Sequence, residues 1–98
     1  MNVSLLYFDG CPNWVEADRH LREALALAGR GGTEVRHRRI RTAVEAEAVQ
    51  FRGSPTILID GRDPFGATGG VGLTCRLYAT PDGLQGFPTV AQLVAVLV

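Results

Sequence analysis

The sequence has no lysine, no net charge and only two cysteines. Its ten basic residues are all arginine, and ten carboxylates balance them. The chain therefore lacks the strong positive field that makes nucleic acid or an anionic membrane a default partner, and we predict neither. Two cysteines are too few for a secreted disulfide scaffold. Without clustered His or Cys partners they predict no structural zinc site, and we expect no resident metal and no cofactor. If the two cysteines act chemically, redox chemistry or the capture of a soft metal is the expected use.

Long hydrophobic runs are also missing. The longest early apolar segment, 3–8, has no basic region before it and ends at Asp9. We therefore expect neither a signal peptide nor a membrane span, and the cytoplasm is the expected compartment. Of the 98 residues, 46% are hydrophobic, which predicts one domain over 1–98 with a modest core.

Hydrophobic periodicity and turn residues predict four strands and three helices. The strands are expected over 2–8, 34–40, 55–60 and 74–79, and the helices over 14–28, 42–53 and from about 89 onward. Loops are predicted over 62–73 and 81–86. Strands joined through helices should run parallel, and the last two strands, which lack a helix between them, should be antiparallel. The result is an α/β domain with a mixed four-stranded sheet flanked by helices, and the arginines of the second strand suit a sheet edge.

Two short motifs carry a family resemblance. Cys11-Pro12-Asn13-Trp14 follows the first strand at a helix start, and Ser54-Pro55-Thr56 opens the next-to-last strand. This arrangement resembles thioredoxin-like domains. More narrowly, LLYFDGCPN and GSPTILIDG resemble a group of small bacterial thioredoxin-like proteins, some of which are labelled alkylmercury-lyase-related. The resemblance implies a thioredoxin-like βαβαββα fold, a cis peptide bond before Pro55, and a substrate groove at Pro12, Asn13, Trp14, Ser54, Pro55 and Thr56.

Cys11 is the candidate nucleophile. Unpaired N–H groups and the positive end of the helix dipole favour a thiolate at a helix start, and Pro12 suits the first turn. If Asp9 lies close, its carboxylate raises the pKa of the thiol instead. The other interpretation of Cys11 is that it is a small apolar residue buried in the core.

The second cysteine of a dithiol motif is absent. Its position, one helical turn after Cys11, holds Trp14, which is either a core residue or a substrate platform. A mixed disulfide at Cys11 is then resolved by an external thiol, by Cys75, or not at all. Cys75 is the candidate resolving residue. In a simple antiparallel pair with 55–60, however, it lies at the end of the sheet away from Pro55, so a bridge requires the 61–73 loop to fold back.

Three functions remain open. The first is a thiol protein, a thiol-disulfide oxidoreductase if it is an enzyme, that forms mixed disulfides through Cys11 with protein disulfides or low-molecular-weight thiols such as glutathione. The alternative is a non-catalytic binding module that captures a soft metal, an electrophile or a protein partner. The third is a structural domain that dimerises through a sheet edge, and a monomer or weak dimer is expected.

Overall fold

The computed structural model describes residues 1–66 and 69–98 as a mixed α/β structure. Its elements in chain order are β1 (Val3–Tyr7), α1 (Trp14–Leu27), β2 (Val35–Arg39), α2 (Ala43–Val49), β3 (Thr56–Ile59), β4 (Tyr78–Thr80), β5 (Gly83–Gln85) and α3 (Val90–Leu97). The α/β class and the number of helices agree with the prediction. The predicted end of the second helix at 53 is wrong: α2 ends at Val49, because Gln50 adopts the left-handed conformation that closes a helix. Residues 67 and 68, part of the predicted 62–73 loop, lie outside the described residues.

The helix ends are set by local sequence signals. Gly29, in the left-handed region at φ +75°, follows α1, and the Arg30 N–H donates to the Leu25 carbonyl at 2.8 Å, which closes the last turn. A capping box formed by Thr89 and Gln92 starts α3. Among the described residues, no helix has the length and the apolar character needed to cross a membrane.

The central sheet has three strands in the order β2-β1-β3. β1 is parallel to β2 and antiparallel to β3, so that Leu5 lies between His37 and Ile57. β2 forms one edge of this sheet, as its arginines predict.

The prediction that β3 runs parallel to the first two strands is wrong. α2 has seven residues and therefore rises only about 10 Å, whereas a five-residue strand is about 16 Å long. The chain does not return to the opposite end of the sheet. Instead β3 starts beside the end of β1, where Thr56 pairs with Leu6, and runs back antiparallel to it.

The predicted fourth strand of the sheet is also wrong. β4 begins only at Tyr78 and pairs antiparallel with β5, which lies inside the predicted 81–86 loop. The Thr80 hydroxyl accepts from the Asp82 N–H at 3.1 Å and donates to the Gly83 carbonyl at 2.7 Å. This turn gives β4 a nearer partner than β3, so the described residues form a three-stranded and a two-stranded sheet instead of one four-stranded sheet.

The core lies on both faces of the central sheet. Because side chains alternate along a strand, Val3 and Leu5 of β1 join the larger cluster, with residues of α1 and α3. Leu6 points to the other face and packs in a smaller cluster with Ala46 of α2 and with Phe51. The helices therefore flank the sheet on two sides, and β1, buried between them, leads directly to Cys11.

Candidate functional site

Cys11 and Cys75 are joined in a disulfide. Their Cα atoms are 5.8 Å apart although 64 residues separate them in sequence, and this distance is in the usual range for disulfides. The expectation that Cys75 lies away from Pro55 is therefore wrong. The 61–73 connection does fold back, and Cys75 forms a parallel bridge with Ser54, the residue before Pro55.

Residues 69–76, here called the strap, hold Cys75 in this place. The strap runs along residues 51–54. The Ser54 N–H donates to the Thr74 carbonyl at 2.7 Å, and the Arg76 N–H donates to the Ser54 carbonyl at 2.9 Å. Further along, the Gly72 N–H donates to the Phe51 carbonyl at 3.0 Å. Backbone hydrogen bonds on both sides of Cys75 therefore fix its position relative to Ser54.

Gly53 allows the strap to approach this closely. Its backbone has φ +117°, and a Cβ at this position would lie 2.9 Å from the Cβ of Arg76. A side chain would both strain the backbone and push the strap away. The glycine that precedes the Ser54-Pro55 motif is thus part of the site.

Arg76 anchors the end of the strap. Its side chain is only 6% exposed, and two guanidinium nitrogens donate to the Asp63 carboxylate at 2.5 and 3.2 Å. The guanidinium carbon lies 4.5 Å from the centre of the Tyr78 ring. A bidentate pair and a cation–π contact in a shielded position favour a single geometry for this residue.

Tyr78 connects this anchor to the Ser54-Pro55 motif. Its hydroxyl donates to the Pro55 carbonyl at 2.5 Å. Burial raises the pKa of the Tyr78 hydroxyl well above its ordinary value; the Arg76 cation opposes this shift and the Asp63 carboxylate adds to it. The phenol therefore remains a neutral hydrogen-bond donor at physiological pH.

Cys11 lies in a closed environment. It is fully buried, and its Sγ is 3.6 Å from the Ser54 carbonyl oxygen. It precedes Asn13, the cap of α1. The Asp9 carboxylate is paired with Arg39 of β2 at 2.5 Å, and this cation offsets its negative charge.

The three residues of the Ser54-Pro55-Thr56 motif are buried, and the motif meets the Cys11 sulfur through the Ser54 carbonyl. The Ser54–Pro55 peptide bond is cis, as the resemblance implies. The Ser54 hydroxyl accepts from the Phe8 N–H at 3.4 Å, and the Thr56 hydroxyl donates to the Gly53 carbonyl at 2.6 Å. Ser54 therefore contacts β1's end, Cys11 and the strap at once.

The residues after Cys11 are placed differently from one another. Pro12 is exposed and Asn13 is half-buried, with its amide packed against Gly86. The Trp14 ring stacks on Tyr7 at 4.2 Å between centroids and is packed against the larger core cluster. These contacts favour the interpretation of Trp14 as a core residue over that of a substrate platform.

A cleft of about 430 Å³ opens beside the disulfide. Cys75 lies in its wall, together with the apolar side chains of Phe65, Leu77 and Leu84, whereas Cys11 does not line it. Cys75 is an exposed residue. The two sulfur atoms of one bond thus belong to residues of opposite accessibility.

Sequence reasoning missed four residues of this site: Gly53, Asp63, Arg76 and Tyr78. One signal was available. Arg76 interrupts an otherwise apolar segment directly after Cys75, and a charged residue at such a position needs a carboxylate partner when it is buried. Which carboxylate it pairs with depends on how the 61–73 connection folds back.

Metals and relatives give no further guidance. Within residues 1–66 and 69–98 no group of three or more His, Cys, Asp or Glu side chains is arranged to hold a metal ion. Comparison of the chain with protein-family models, with curated proteins and with solved structures gives no significant match.

Proposed function

We propose that this chain is a thioredoxin-like thiol protein that exchanges disulfides through the Cys11–Cys75 pair. The observation that carries the proposal is the convergence of the only two cysteines on the Ser54 backbone, across 64 residues of sequence. A cysteine at the start of a helix, facing the backbone before a proline at the start of a strand, supports the thioredoxin-like assignment. The sheet departs from the predicted βαβαββα pattern at β4 and β5.

The pair supplies the second thiol that the motif after Cys11 lacks. Two thiols R–SH reduce the disulfide in two steps: the first thiolate breaks the Cys11–Cys75 bond and forms a mixed disulfide with one cysteine, and the second releases R–S–S–R. Two electrons and two protons pass to the protein, which ends with two thiols. The reverse sequence oxidises the protein and reduces the partner disulfide.

The proposed compartment strengthens this assignment. We place the chain in the cytoplasm, where glutathione and thioredoxin systems keep thiols reduced and disulfides are usually transient. A pair that is preorganised for a disulfide in such a compartment suits a redox cycle better than a permanent staple. Protein disulfides and low-molecular-weight disulfides are the proposed substrates.

Equilibration with glutathione tests the proposal. The protein is incubated anaerobically at pH 7.5 in buffers of increasing ratio of reduced to oxidised glutathione, quenched with acid, and its disulfide is quantified by mass spectrometry. We expect a reversible two-electron transition between the Cys11–Cys75 disulfide and the dithiol. The Cys11→Ser/Cys75→Ser variant, which has no cysteine, is the control for glutathione adducts at other residues. A protein that neither loses nor regains its disulfide in any of these buffers would contradict the proposal.

Soft-metal capture is the second candidate, and the adjacency of two sulfur atoms favours it specifically. Thiolates are ligands that select Cu(I). Competition between the reduced protein and a chromophoric Cu(I) chelator distinguishes the two functions. Binding of one Cu(I) that requires both cysteines, in a protein that does not exchange with glutathione, would replace the redox proposal by this one.

A further inference from the structure

We infer that Cys75, and not Cys11, is the cysteine that bonds to the partner, and that Cys11 is the resolving residue. This inference rests on the proposed function and reverses the order that the sequence suggests. It names the exposed strap, and not the helix start, as the place where a partner sulfur arrives.

The two cysteines differ in their accessibility to a partner sulfur. A thiolate attacks a disulfide along the line of the S–S bond, so the attacked sulfur must be reachable from solvent. Cys11 has a relative exposure of 0%, and the Ser54 carbonyl oxygen lies 3.6 Å from its sulfur. Cys75 is exposed and lines the 430 Å³ cleft. An incoming sulfur meets Cys75 first.

The strap keeps Cys75 in place when the S–S bond is open. The hydrogen bonds from Ser54 to Thr74 and from Arg76 to Ser54 do not involve either sulfur. The buried Arg76–Asp63 pair, which holds the end of the strap, likewise involves neither sulfur. Cys75 therefore remains within reach of Cys11 throughout the cycle, and resolution is intramolecular.

Cys11 is the leaving group when a partner thiolate attacks Cys75. When R–S⁻ attacks the Cys75 sulfur, the R–S–S–Cys75 bond forms and the electron pair of the broken bond goes to the Cys11 sulfur. Cys11 lies two residues before Asn13, the N-cap of α1, so this sulfur is on the side of the positive end of the helix dipole. The proton that R–SH lost on becoming R–S⁻ balances this charge, and the Cys11 thiol then donates to the Ser54 carbonyl oxygen beside it. In the opposite direction, the Cys75 thiolate attacks R–S–S–R and releases R–S⁻, and Cys11 then expels the second R–S⁻ from Cys75.

Single-cysteine variants test this order with oxidised glutathione as the probe. We expect the glutathione adduct to form on Cys11→Ser, which keeps Cys75, at least about tenfold faster than on Cys75→Ser, which keeps Cys11, because reactivity follows access to the thiolate. Both variants are assayed at one temperature, below both unfolding midpoints, because temperature itself changes the rate of disulfide exchange. Faster adduct formation on Cys75→Ser would overturn the inference.

The reduced wild-type protein gives a reading that does not depend on either substitution. It is treated with a substoichiometric amount of iodoacetamide, and the alkylated cysteine is located by peptide mass spectrometry. Cys75 should carry most of the label in the folded protein, whereas in urea both cysteines should react at similar rates. Preferential labelling of Cys11 in the folded protein would also overturn the inference.

The failure of this inference is distinguishable from the failure of the proposed function. If wild type equilibrates with glutathione but the adduct and the first label appear on Cys11, disulfide exchange stands and the order of attack is wrong. If neither variant forms an adduct although iodoacetamide labels the protein, both the exchange function and the order of attack are refuted.

Discussion

At the scale of single residues, the site depends on how closely two backbone segments approach. Gly53 faces the Cα and Cβ of Arg76, at distances that no side chain at position 53 could accommodate without a shift. Arg76 in turn places Cys75, its neighbour in sequence, opposite Cys11. A glycine with no chemistry of its own therefore controls whether the two sulfurs meet.

Substitution of Gly53 tests this dependence. Gly53→Ala should lower the free energy of unfolding and reduce the fraction of protein that forms the Cys11–Cys75 disulfide in air. Gly61→Ala is the matched control, because Gly61 also has a positive φ but a Cβ there would have no neighbour within 4 Å. The control should lose about 1 to 2 kcal/mol from backbone strain alone and keep its disulfide. Free-thiol titration and urea unfolding provide the measurements. Equal disulfide content in the two variants would show that contact with Arg76 is unimportant.

At the scale of elements, local signals predicted the bounds of α1 and α3 well, whereas α2 ends at Val49 and not at the predicted 53. The apolar spacing from Trp14 onward and the cap at Thr89 involve residues within one or two turns, so the sequence contains what is needed to place α1 and α3. The direction of β3 and the pairing of β4 with β5 were mispredicted. Both depend on which strands become neighbours, and that competition is decided by contacts that are distant in sequence.

The residues of the candidate site also divide into those that local sequence signals identify and those that depend on distant contacts. Cys11, Ser54 and Pro55 could be identified because each lies at the boundary of a recognisable element. The strap could not, because it has no periodicity and its hydrogen bonds to Phe51 and Ser54 exist only once the chain has folded back. The pairing of Arg76 with Asp63 follows from the same fold-back.

β4 is attached to the site mainly through Tyr78, and Tyr78→Phe tests that attachment. The substitution removes the donor to the buried Pro55 carbonyl, which should cost about 1 to 3 kcal/mol at pH 7. Since the pKa of Tyr78 is raised in the folded protein, its contribution is fully present below the ordinary value of 10.0 and is lost as the pH rises above it.

Urea unfolding of wild type and Tyr78→Phe at pH 7, 9, 10 and 11 measures both effects. The stability difference between the two proteins should be constant up to pH 9 and should shrink above pH 10, because only wild type carries the ionisation of Tyr78. Groups shared by both proteins cancel in this comparison. A difference that stays constant through pH 11 would contradict the assignment of the raised pKa to Tyr78.

At the scale of the whole molecule, the disulfide joins parts of the chain that the core leaves separate. The larger core cluster unites β1 with α1 and α3, and the smaller one unites β1 with α2. The strap places one side chain, that of Val71, against the smaller cluster. It is attached through backbone hydrogen bonds, the Arg76–Asp63 pair and the bond to Cys11, so opening the S–S bond removes the covalent part of that attachment and leaves the two cores intact.

Reduction should therefore destabilise the protein without unfolding it. A disulfide that spans 64 residues restricts the unfolded chain by about 4 kcal/mol in the loop-entropy model, a large share of the roughly 5 to 15 kcal/mol of a typical domain. We expect urea unfolding in the presence of a phosphine reductant to give a free energy about 2 to 4 kcal/mol lower than in its absence. Cys11→Ser/Cys75→Ser should resemble the reduced protein and should not respond to the reductant.

If the unfolding midpoint of wild type is the same in both conditions, the strap is not covalently attached in solution. A reduced protein that is unfolded in the absence of urea would instead show that the disulfide is a structural requirement, which is incompatible with a redox cycle in which both states must be folded.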